Sequence, residues 1–467
     1  MIGRDRGGPV RCRSLLALAL GGVALGEAAC AEDAHPEELF AATSGSRLAL
    51  QLVRYDDGTE QATADELYDR ELHARCTPRR WSDGAVRCVP AVDDAVYTDA
   101  ACTMLAGRAR TIAKPALFLA YAAAAGEDAR PARLFRAGAA IDPVPQLYEL
   151  RDGACTGPWP SPEEPIAYFE VGDELDGASL VAIRDGEVGE GRLAVLVRES
   201  DDGARIPLGL RDRELGAACT PARGGGGDLR CAPAGAAPAS AFGDPACSEP
   251  VVVVAAGSPP PAIAAVVEAS GCTGYRAIAG EVPGPRIYRR ADGACTSAIV
   301  PAGARLFAPG AELALASLPR TLEDAPGRRL RRVILEAGGL RVLDDRLFDT
   351  ATRADCRRRL VGDVLRCIPD AVAPARTLYA PGCGIEVPVA ELPPRTCEPV
   401  AFATGPDGED GEDLEIRAIG DRAPDALFRL ENGQCLPTPS SADTSFRALG
   451  PPIDPAAFAG ALYFGAR

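Results

Sequence analysis

Two acidic residues recur at matching positions in the chain and could support acid–base chemistry. Asp69 and Glu71 lie in the sequence Asp-Arg-Glu-Leu, and Asp212 and Glu214 lie in the same four-residue sequence further on. Two carboxylates suffice for glycoside hydrolysis, one as general acid and the other as base or nucleophile. A third copy has Asp349 followed by Thr-Ala-Thr and lacks the glutamate. An aspartate that recurs without its acidic neighbour is more typical of a turn cap than of catalysis.

The cysteines could bind a metal or form disulfides. The chain has 16 cysteines, two histidines (His35 and His73) and no Cys-x-x-Cys motif. A structural metal site groups several soft ligands closely, and neither histidine recurs with the cysteines, so metal binding is not predicted. Many regularly spaced cysteines are instead typical of a disulfide framework in an exported protein. Three pairs, 12, 12 and 11 residues apart across a predicted hairpin, are the strongest candidates: Cys76–Cys88, Cys219–Cys231 and Cys356–Cys367.

The remaining cysteines differ between the copies. Cys397 has no counterpart in the first two copies, and Cys272 occurs only in the second. We therefore predict two further local pairs, Cys383–Cys397 and Cys272–Cys295. Four cysteines are left without assigned partners: Cys102, Cys155, Cys247 and Cys435. In one arrangement the first two of these pair with each other, and the last two then bridge different repeats.

Other patterns that could form a site are weaker. The acidic run 407–413 could supply oxygen ligands to Ca²⁺, but it lacks EF-hand spacing and is typical of a solvated loop. The glycine run 224–227 would need a preceding strand and a following helix to bind phosphate, and its position in the repeat favours a loop. The chain has no Gly-x-Ser-x-Gly elbow. We predict no catalytic residue, cofactor or metal ligand.

The N-terminus has the features of a bacterial export signal. Residues 1–30 contain an arginine-rich start, a short apolar stretch and then small residues. The apolar stretch is too short to span a bilayer. The net charge of −16 disfavours nucleic acid as a partner, because phosphate binding needs concentrated Lys and Arg. We predict an exported protein of the outer membrane, the periplasm or the extracellular space.

Cys30 is a candidate for lipidation. Small residues precede it, although Glu27 stands where a lipoprotein signal normally has leucine. The rival prediction is ordinary cleavage near Ala29 or Ala31. In either case we predict that residues 31–46 form an acidic tether. Contact with a membrane is then expected only through an N-terminal lipid.

A frame of the form x-Arg-Cys-x-Pro recurs at three matching positions and defines an internal repeat. Its copies are Val86–Pro90, Leu229–Pro233 and 365–369. A second frame, in which Asp-Gly or Asn-Gly precedes a cysteine by two residues, occurs once per repeat and is typical of tight hairpins. After the signal and the tether, the predicted units are 47–185, 186–325 and 326–467.

These units predict an all-β protein. Each unit has two halves, and each half has about four short strands bounded by turns. Six such halves in tandem favour a six-bladed β-propeller-like array of three two-blade units. Three tandem β-sandwich or barrel domains are the alternative, since a unit of this length could fold alone.

The export signal, the three units and the cysteine frames resemble an uncharacterised class of secreted, lipoprotein-like, cysteine-containing repeat proteins of myxobacterial type, a domain of unknown function. The resemblance implies an envelope or surface location and no catalytic residue. We predict a non-catalytic surface scaffold that binds an unknown envelope protein or glycan. The alternative is a secreted, carboxylate-dependent, glycosidase-like hydrolase on a propeller.

Overall fold

A computed structural model describes most of the chain after the predicted signal. The described residues are 39–91, 95–109, 117–121, 131–141, 146–151, 154–159, 166–224, 227–268, 270–291, 294–325, 327, 329–361, 364–392, 397, 400–405, 414–438 and 445–466. Within them the protein is almost entirely β-structure, with two single-turn 3₁₀ helices. The predicted all-β class is confirmed.

The strands, numbered in chain order, fall into three groups that follow the sequence repeats. The first group is β1 (Leu39–Phe40), β2 (Leu48–Tyr55), β3 (Glu60–Asp69), β4 (Ala74–Arg80), β5 (Val86–Pro90), β6 (Ala95–Tyr97), β7 (Leu105–Ala109), β8 (Leu117–Tyr121), β9 (Pro131–Ala140), β10 (Leu147–Arg151), β11 (Ala154–Trp159), β12 (Ala167–Leu175) and the 3₁₀ helix Gly177–Ser179. The second group is β13 (Ile183–Val188), β14 (Leu193–Ser200), β15 (Arg205–Asp212), β16 (Ala217–Arg223), β17 (Leu229–Pro233), β18 (Ala237–Pro238), β19 (Ala241–Phe242), β20 (Pro250–Val254), β21 (Ile263–Val267), β22 (Thr273–Val282), β23 (Arg286–Ala291), β24 (Ala294–Ile299) and β25 (Arg305–Glu312). The third group is β26 (Arg320–Asp324), β27 (Leu330–Ala337), β28 (Leu340–Asp349), β29 (Ala354–Val361), β30 (Val364–Pro369), β31 (Val372–Tyr379), β32 (Glu386–Leu392), β33 (Phe402–Thr404), β34 (Ile416–Arg422), β35 (Phe428–Glu431), β36 (Gln434–Pro437), β37 (Ser445–Pro452), the 3₁₀ helix Pro455–Ala457 and β38 (Gly460–Ala466).

The early strands of each group form an antiparallel meander of five strands. Meander 2 is β13-β14-β15-β16-β17, and meander 3 is β26-β27-β28-β29-β30. Meander 1 contains β2-β3-β4-β5, and its first strand is β38 from the C-terminal end of the described chain. Because β38 also pairs with β30, meanders 1 and 3 belong to one 11-stranded sheet. The two ends of the repeat array therefore meet in meander 1.

The second and third strands of each meander are joined by a tight turn that contains one or two glycines. Gly58 and Gly203 have φ values of +86° and +95°, which glycine adopts without a Cβ penalty. Meander 3 turns through Gly338 and Gly339, with φ values of +61° and +75°. After the turn, β3, β15 and β28 each contain a bulge at the same place, where the register against the preceding strand shifts.

The later strands of each group form a separate sheet, which we call the satellite sheet. The three satellite sheets contain seven, eight and seven strands. In the third, β31, β32, β37, β34 and β33 pair in a closed cycle and form a five-stranded barrel. A propeller of six separate blades would have four strands in each sheet, whereas each satellite sheet contains seven or eight. The six-bladed propeller therefore stays a prediction.

The three largest buried apolar clusters lie where the meanders meet. We call the three contacts junction 1–2, junction 2–3 and junction 3–1, after the meanders that they join. Each has its own buried cluster, and each cluster contains the two cysteines of one predicted hairpin pair. At junction 3–1, Val53, Tyr55 and Leu330 pack with Cys356 and Cys367. The meanders contact one another in a cycle.

Two of the predicted boundaries lie at the first strand of a meander, and the predicted division into units stays a prediction. The boundary drawn at residue 186 falls inside β13, and the boundary drawn at 326 falls just after β26, because the first strand of each meander precedes the repeated sequence frame. The predicted tether 31–46 is partly bound to the body: β1 pairs in parallel with β28, and Thr43 bridges Arg205. The signal 1–30, with Cys30, lies outside the described residues.

Candidate functional site

The repeated x-Arg-Cys-x-Pro frame holds the segment that enters the next meander. At junction 1–2, the Cys88 N–H donates to the Val181 carbonyl at 3.0 Å, and the Arg87 guanidinium donates to the Leu180 carbonyl at 3.1 Å. The equivalent donors and carbonyls at the other junctions are Cys231 with Ala316, Arg230 with Leu315, Cys367 with Ala459 and Arg366 with Phe458. The arginine and cysteine of the frame therefore bind their meander to the segment that enters the next one.

The repeated aspartates stabilise the same junctions. Asp69 is fully buried and pairs with Arg47, with 2.7 Å between Asp69 Oδ2 and Arg47 Nη2. Asp69 Oδ1 also accepts the backbone N–H groups of Glu71 and Leu72, in agreement with the predicted turn-cap role. Arg47 donates in turn to the Ser179 carbonyl at 2.9 Å. The same triplet recurs as Asp212, Arg192 and the Ala314 carbonyl, and as Asp349, Arg329 and the Ala457 carbonyl.

The glutamates beside two of these aspartates lie at the surface. The Glu71 and Glu214 side chains are 69% and 66% exposed, and each pairs with the arginine that already holds the neighbouring aspartate. In the first two repeats, both carboxylates are therefore bound to one guanidinium. This arrangement serves packing and leaves no carboxylate positioned as a free acid or base.

The described cysteines form seven disulfides. The three hairpin pairs are present as predicted, each with a Cα–Cα distance of 5.2 Å. A second repeated set joins the turn that follows β6, β19 or β31 to the hairpin at the edge of the same satellite sheet: Cys102–Cys155, Cys247–Cys295 and Cys383–Cys435. Disulfide bonding is thus a property of every repeat, in both of its halves.

The predicted pairs Cys383–Cys397 and Cys272–Cys295 are wrong. Cys383 and Cys435 face each other because Tyr379 and Phe428, at the ends of two paired strands, bring the turn and the hairpin together. The cysteines that occur in only one repeat, Cys272 and Cys397, pair with each other across 125 residues and join units two and three. The correct pairs were predictable from the second frame, which places a cysteine at the same position of all three repeats. Equivalent cysteines take equivalent partners, so each turn cysteine pairs with the cysteine of that frame.

One charged cluster belongs to meander 3 alone and lies at the bulge of β28. Asp344 and Arg346 form an ion pair at 2.6 Å, and their side chains are only 5% and 6% exposed. Asp345 pairs with Arg357 at 2.6 Å, and its carbonyl accepts the side-chain amide of Gln61 from meander 1. The cluster therefore combines a buried ion pair, an exposed ion pair and a contact across junction 3–1.

The two adjacent carboxylates of this cluster have opposite pKa shifts. Burial would raise the pKa of Asp344, but the hydrogen bond and charge of Arg346 lower it below the usual value. Desolvation of the carboxylate, and then the hydrogen bond and charge of Asp344, raise the pKa of Asp345 to about 7. Because 64% of the Asp345 side chain is exposed, solvent screens the energetic effect.

The Tyr55 side chain borders the same junction. Its hydroxyl donates to Gln61 Oε1 at 2.8 Å, and burial raises the pKa of Tyr55 to about 12. Tyr55 therefore stays protonated and links the core of junction 3–1 to Gln61, which in turn contacts Asp345.

The pKa of Asp345 predicts how stability depends on pH. The folded protein holds the proton more tightly than an unfolded chain, in which Asp titrates near pH 3.9. This contribution to stability is full below about pH 4 and is lost as pH rises to about 7. We expect Asp345→Asn to flatten this dependence, changing Tm by about 2 °C between pH 5 and pH 8 relative to the parent.

Thermal unfolding followed by circular dichroism at both pH values tests this expectation. Asp185→Asn is the matched control, because Asp185 is 59% exposed and pairs with Arg198 at 2.8 Å without a second carboxylate beside it. An equal effect of the two substitutions on the pH dependence would contradict the assignment to the Asp344–Asp345 pair.

The other sequence patterns contribute nothing to the described site. In the part of the chain that the structure describes, no three His, Cys, Asp or Glu side chains are grouped so that they could hold a metal ion. The acidic run 407–413 and the middle of the glycine run 224–227 lie outside the described residues. None of the helices formed by the described residues has the length and apolarity needed to cross a membrane.

Together, the fold and the site define a disulfide-rich, all-β repeat protein whose repeated polar residues stabilise contacts between repeats. The chain belongs to a family of unknown function, DUF7481, whose family model matches residues 23–458. No curated protein and no solved structure matches the chain. The resemblance to a domain of unknown function is thereby confirmed, and its myxobacterial type stays a prediction.

Proposed function

We propose that this protein is an exported, non-catalytic scaffold that binds an envelope protein or a glycan. The observation that carries the proposal is the use of the repeated charged residues. Asp69, Asp212 and Asp349 are all fully buried, and each is bound by an arginine that also donates to a carbonyl of the segment that enters the next meander. Selection for a repeated active site would leave such groups open to substrate, whereas these groups are saturated by protein contacts.

The disulfides support the location that we propose. Seven disulfides in one chain are consistent with an oxidising compartment, either the periplasm or the extracellular space. A lipid on Cys30 would hold the protein at a membrane surface, and cleavage near Ala29 or Ala31 would release it. Both outcomes are compatible with a binding role outside the cytoplasm.

The satellite sheets offer surfaces that differ between repeats, as expected of a binding scaffold. Two residues after the turn cysteine of each satellite sheet stand Met104, Glu249 and Ile385. Met104 is 63% exposed and Ile385 is 68% exposed. Single exposed apolar side chains are common on protein surfaces, so the proposal rests on their equivalent positions beside a disulfide in two of the repeats. We propose that the tips of the first and third satellite sheets contact the ligand.

The rival function, a carboxylate-dependent hydrolase, receives support from one observation. Asp345, with a pKa of about 7, could act as a general acid. Its carboxylate is hydrogen-bonded to that of Asp344 and ion-paired with Arg357. A glycosidase instead needs carboxylates on two sides of the scissile bond, about 5–9.5 Å apart. The arrangement favours a binding protein.

The experiment is a binding and hydrolysis assay on the same substrates. The disulfide-bonded mature protein is applied to an array of bacterial envelope glycans, and each bound glycan is then assayed for new reducing ends. We expect binding without hydrolysis, and about tenfold weaker binding by Ile385→Asp. Glu249→Ala, at the matched position of the second satellite sheet, is the control and should bind like the parent.

Two outcomes would contradict the proposal. New reducing ends that disappear in Asp345→Asn would identify a hydrolase. Equal losses of binding in Ile385→Asp and Glu249→Ala would exclude the apolar tips as the contact surface.

A further inference from the structure

The turn between the second and third strands of each meander contacts the start of a strand in its neighbour. At junction 1–2, Asp202 Oδ2 in the turn of meander 2 accepts the backbone N–H groups of Arg47 at 2.7 Å and Leu48 at 2.6 Å. These two groups lie at the start of β2, which begins at Leu48. A carboxylate from one repeat therefore completes the hydrogen bonding of the next.

The space for this carboxylate depends on Gly45. A Cβ at Gly45 would overlap the Asp202 carboxylate and lie 2.7 Å from the backbone nitrogen of Ala204. The backbone of Gly45 lies outside the left-handed region, so its conformation is open to any residue. Glycine is thus needed at this position for space alone.

Junction 3–1 repeats this arrangement with other residues. Asp57 Oδ2, in the turn of meander 1, accepts the backbone N–H of Leu330 at 2.9 Å. A Cβ at Gly327 would overlap both the main chain and the carboxylate of Asp57. Gly45 and Gly327 occupy equivalent positions, since each lies two residues before the arginine of its buried ion pair. The pairing of a turn aspartate with a glycine therefore occurs twice.

Junction 2–3 reverses the two residue types. The turn of meander 3 has Gly338 and Gly339 and no carboxylate, and the position equivalent to Gly45 is Glu190. The Glu190 N–H donates to the Gly338 carbonyl at 2.8 Å. A Cβ at Gly338 would lie 2.5 Å from the Leu193 carbonyl oxygen. At this junction the turn residue is glycine, and the residue at the start of the neighbouring strand, Glu190, has a side chain.

We infer that these three turn contacts form a complementary set that specifies which meander lies beside which. In the native order, each turn aspartate faces a glycine, and the glycine turn faces Glu190. In the reverse order, the turn aspartate of meander 1 would face Glu190, whose Cβ stands at the position where a Cβ on Gly45 would overlap the Asp202 carboxylate. The glycine turn would face Gly45 and leave a gap. The contacts of the x-Arg-Cys-x-Pro frame and of the buried aspartates are the same at all three junctions. The turn residues differ between junctions, and they therefore help to distinguish the correct neighbour from the wrong ones during folding.

A double-mutant cycle at junction 1–2 tests the inference. Gly45→Glu introduces the residue of junction 2–3 against Asp202, and Asp202→Gly introduces the matching glycine. We expect each single variant to lower Tm, and we expect the double variant to melt about 3 °C or more above Gly45→Glu, because the second change removes the conflict. Thermal unfolding of the disulfide-bonded protein is the measurement.

A control and a milder variant complete this experiment. Glu190→Gly should stay within about 1 °C of the parent, because the contact at Gly338 uses the backbone N–H and not the side chain. If Gly45→Glu does not fold, Gly45→Ala combined with Asp202→Gly gives the same cycle with a smaller overlap. Additive effects in either cycle would overturn the inference, and so would a Glu190→Gly variant as unstable as Asp202→Gly.

Discussion

Deletion of the C-terminal strand is expected to unfold meander 1 and to open junction 3–1. Truncation after Ala459 removes β38, which pairs with β2 on one side and with β30 on the other. It also uncovers Val53 and Tyr55, which are 0% and 2% exposed. Exposing one such side chain costs about 1.5–3 kcal/mol. The total is on the order of 5 kcal/mol, comparable with the stability of a typical domain.

Hydrogen–deuterium exchange read by mass spectrometry tests this expectation most directly. The amides of β2 and β30 should lose protection in the truncated protein, while those of β14 and β15 in meander 2 keep theirs. Two uncovered strand edges should also promote aggregation. Leu462→Ser is the matched control, because Leu462 belongs to the same strand but is 72% exposed, and its effect should stay within about 0.5 kcal/mol. Retained protection of β2 after truncation would show that β38 does not close the array.

The second large effect, a loss of stability, is expected when one partner of a buried ion pair is removed. Asp349→Ala leaves the guanidinium of Arg329 without its carboxylate and the Ala351 N–H without its acceptor. Removing one partner of a buried ion pair typically costs about 3–5 kcal/mol. Since 27% of the Arg329 side chain is exposed and can be hydrated, we expect a loss of about 3 kcal/mol.

Chemical denaturation of Asp349→Ala, and of the equivalent variants Asp69→Ala and Asp212→Ala, measures this loss. The three substitutions should have similar effects, because the three sites share the same contacts. Glu214→Gln is the control: its carboxylate is 66% exposed and lies 2.9 Å from Arg192, and a surface ion pair contributes about 0–1 kcal/mol. A loss in Glu214→Gln as large as in Asp212→Ala would refute the structural role of the buried aspartates.

Local sequence patterns carried the information for the parts of the fold that form locally. The hairpin that holds Cys76 and Cys88 was predictable because 12 residues with a central turn bring two adjacent strands within disulfide distance. The turns at Gly58 and Gly203 were predictable because few residues other than glycine adopt their backbone angles.

Contacts between repeats cannot be predicted from local sequence patterns. The frame around Arg87 was recognised as a repeat, but its purpose depends on the Leu180 carbonyl, which comes from a different half of the unit. The cluster at Asp344 and Asp345 had no repeated counterpart, and charged residues next to each other in sequence are usually solvated. The bulge in β28 and the contact with Gln61 across junction 3–1 set the environment of these two carboxylates.

The sequence by itself determined the all-β class, the threefold repeat and the hairpin disulfides, because each follows from residues close together in the chain. The tertiary structure decided three things: that β38 completes meander 1, that Cys272 pairs with Cys397, and that each turn fits its neighbour. The physical reason is that these contacts join residues separated by more than a hundred positions. Their free energy depends on which surfaces meet after the meanders have formed, and no local pattern of residues encodes that arrangement.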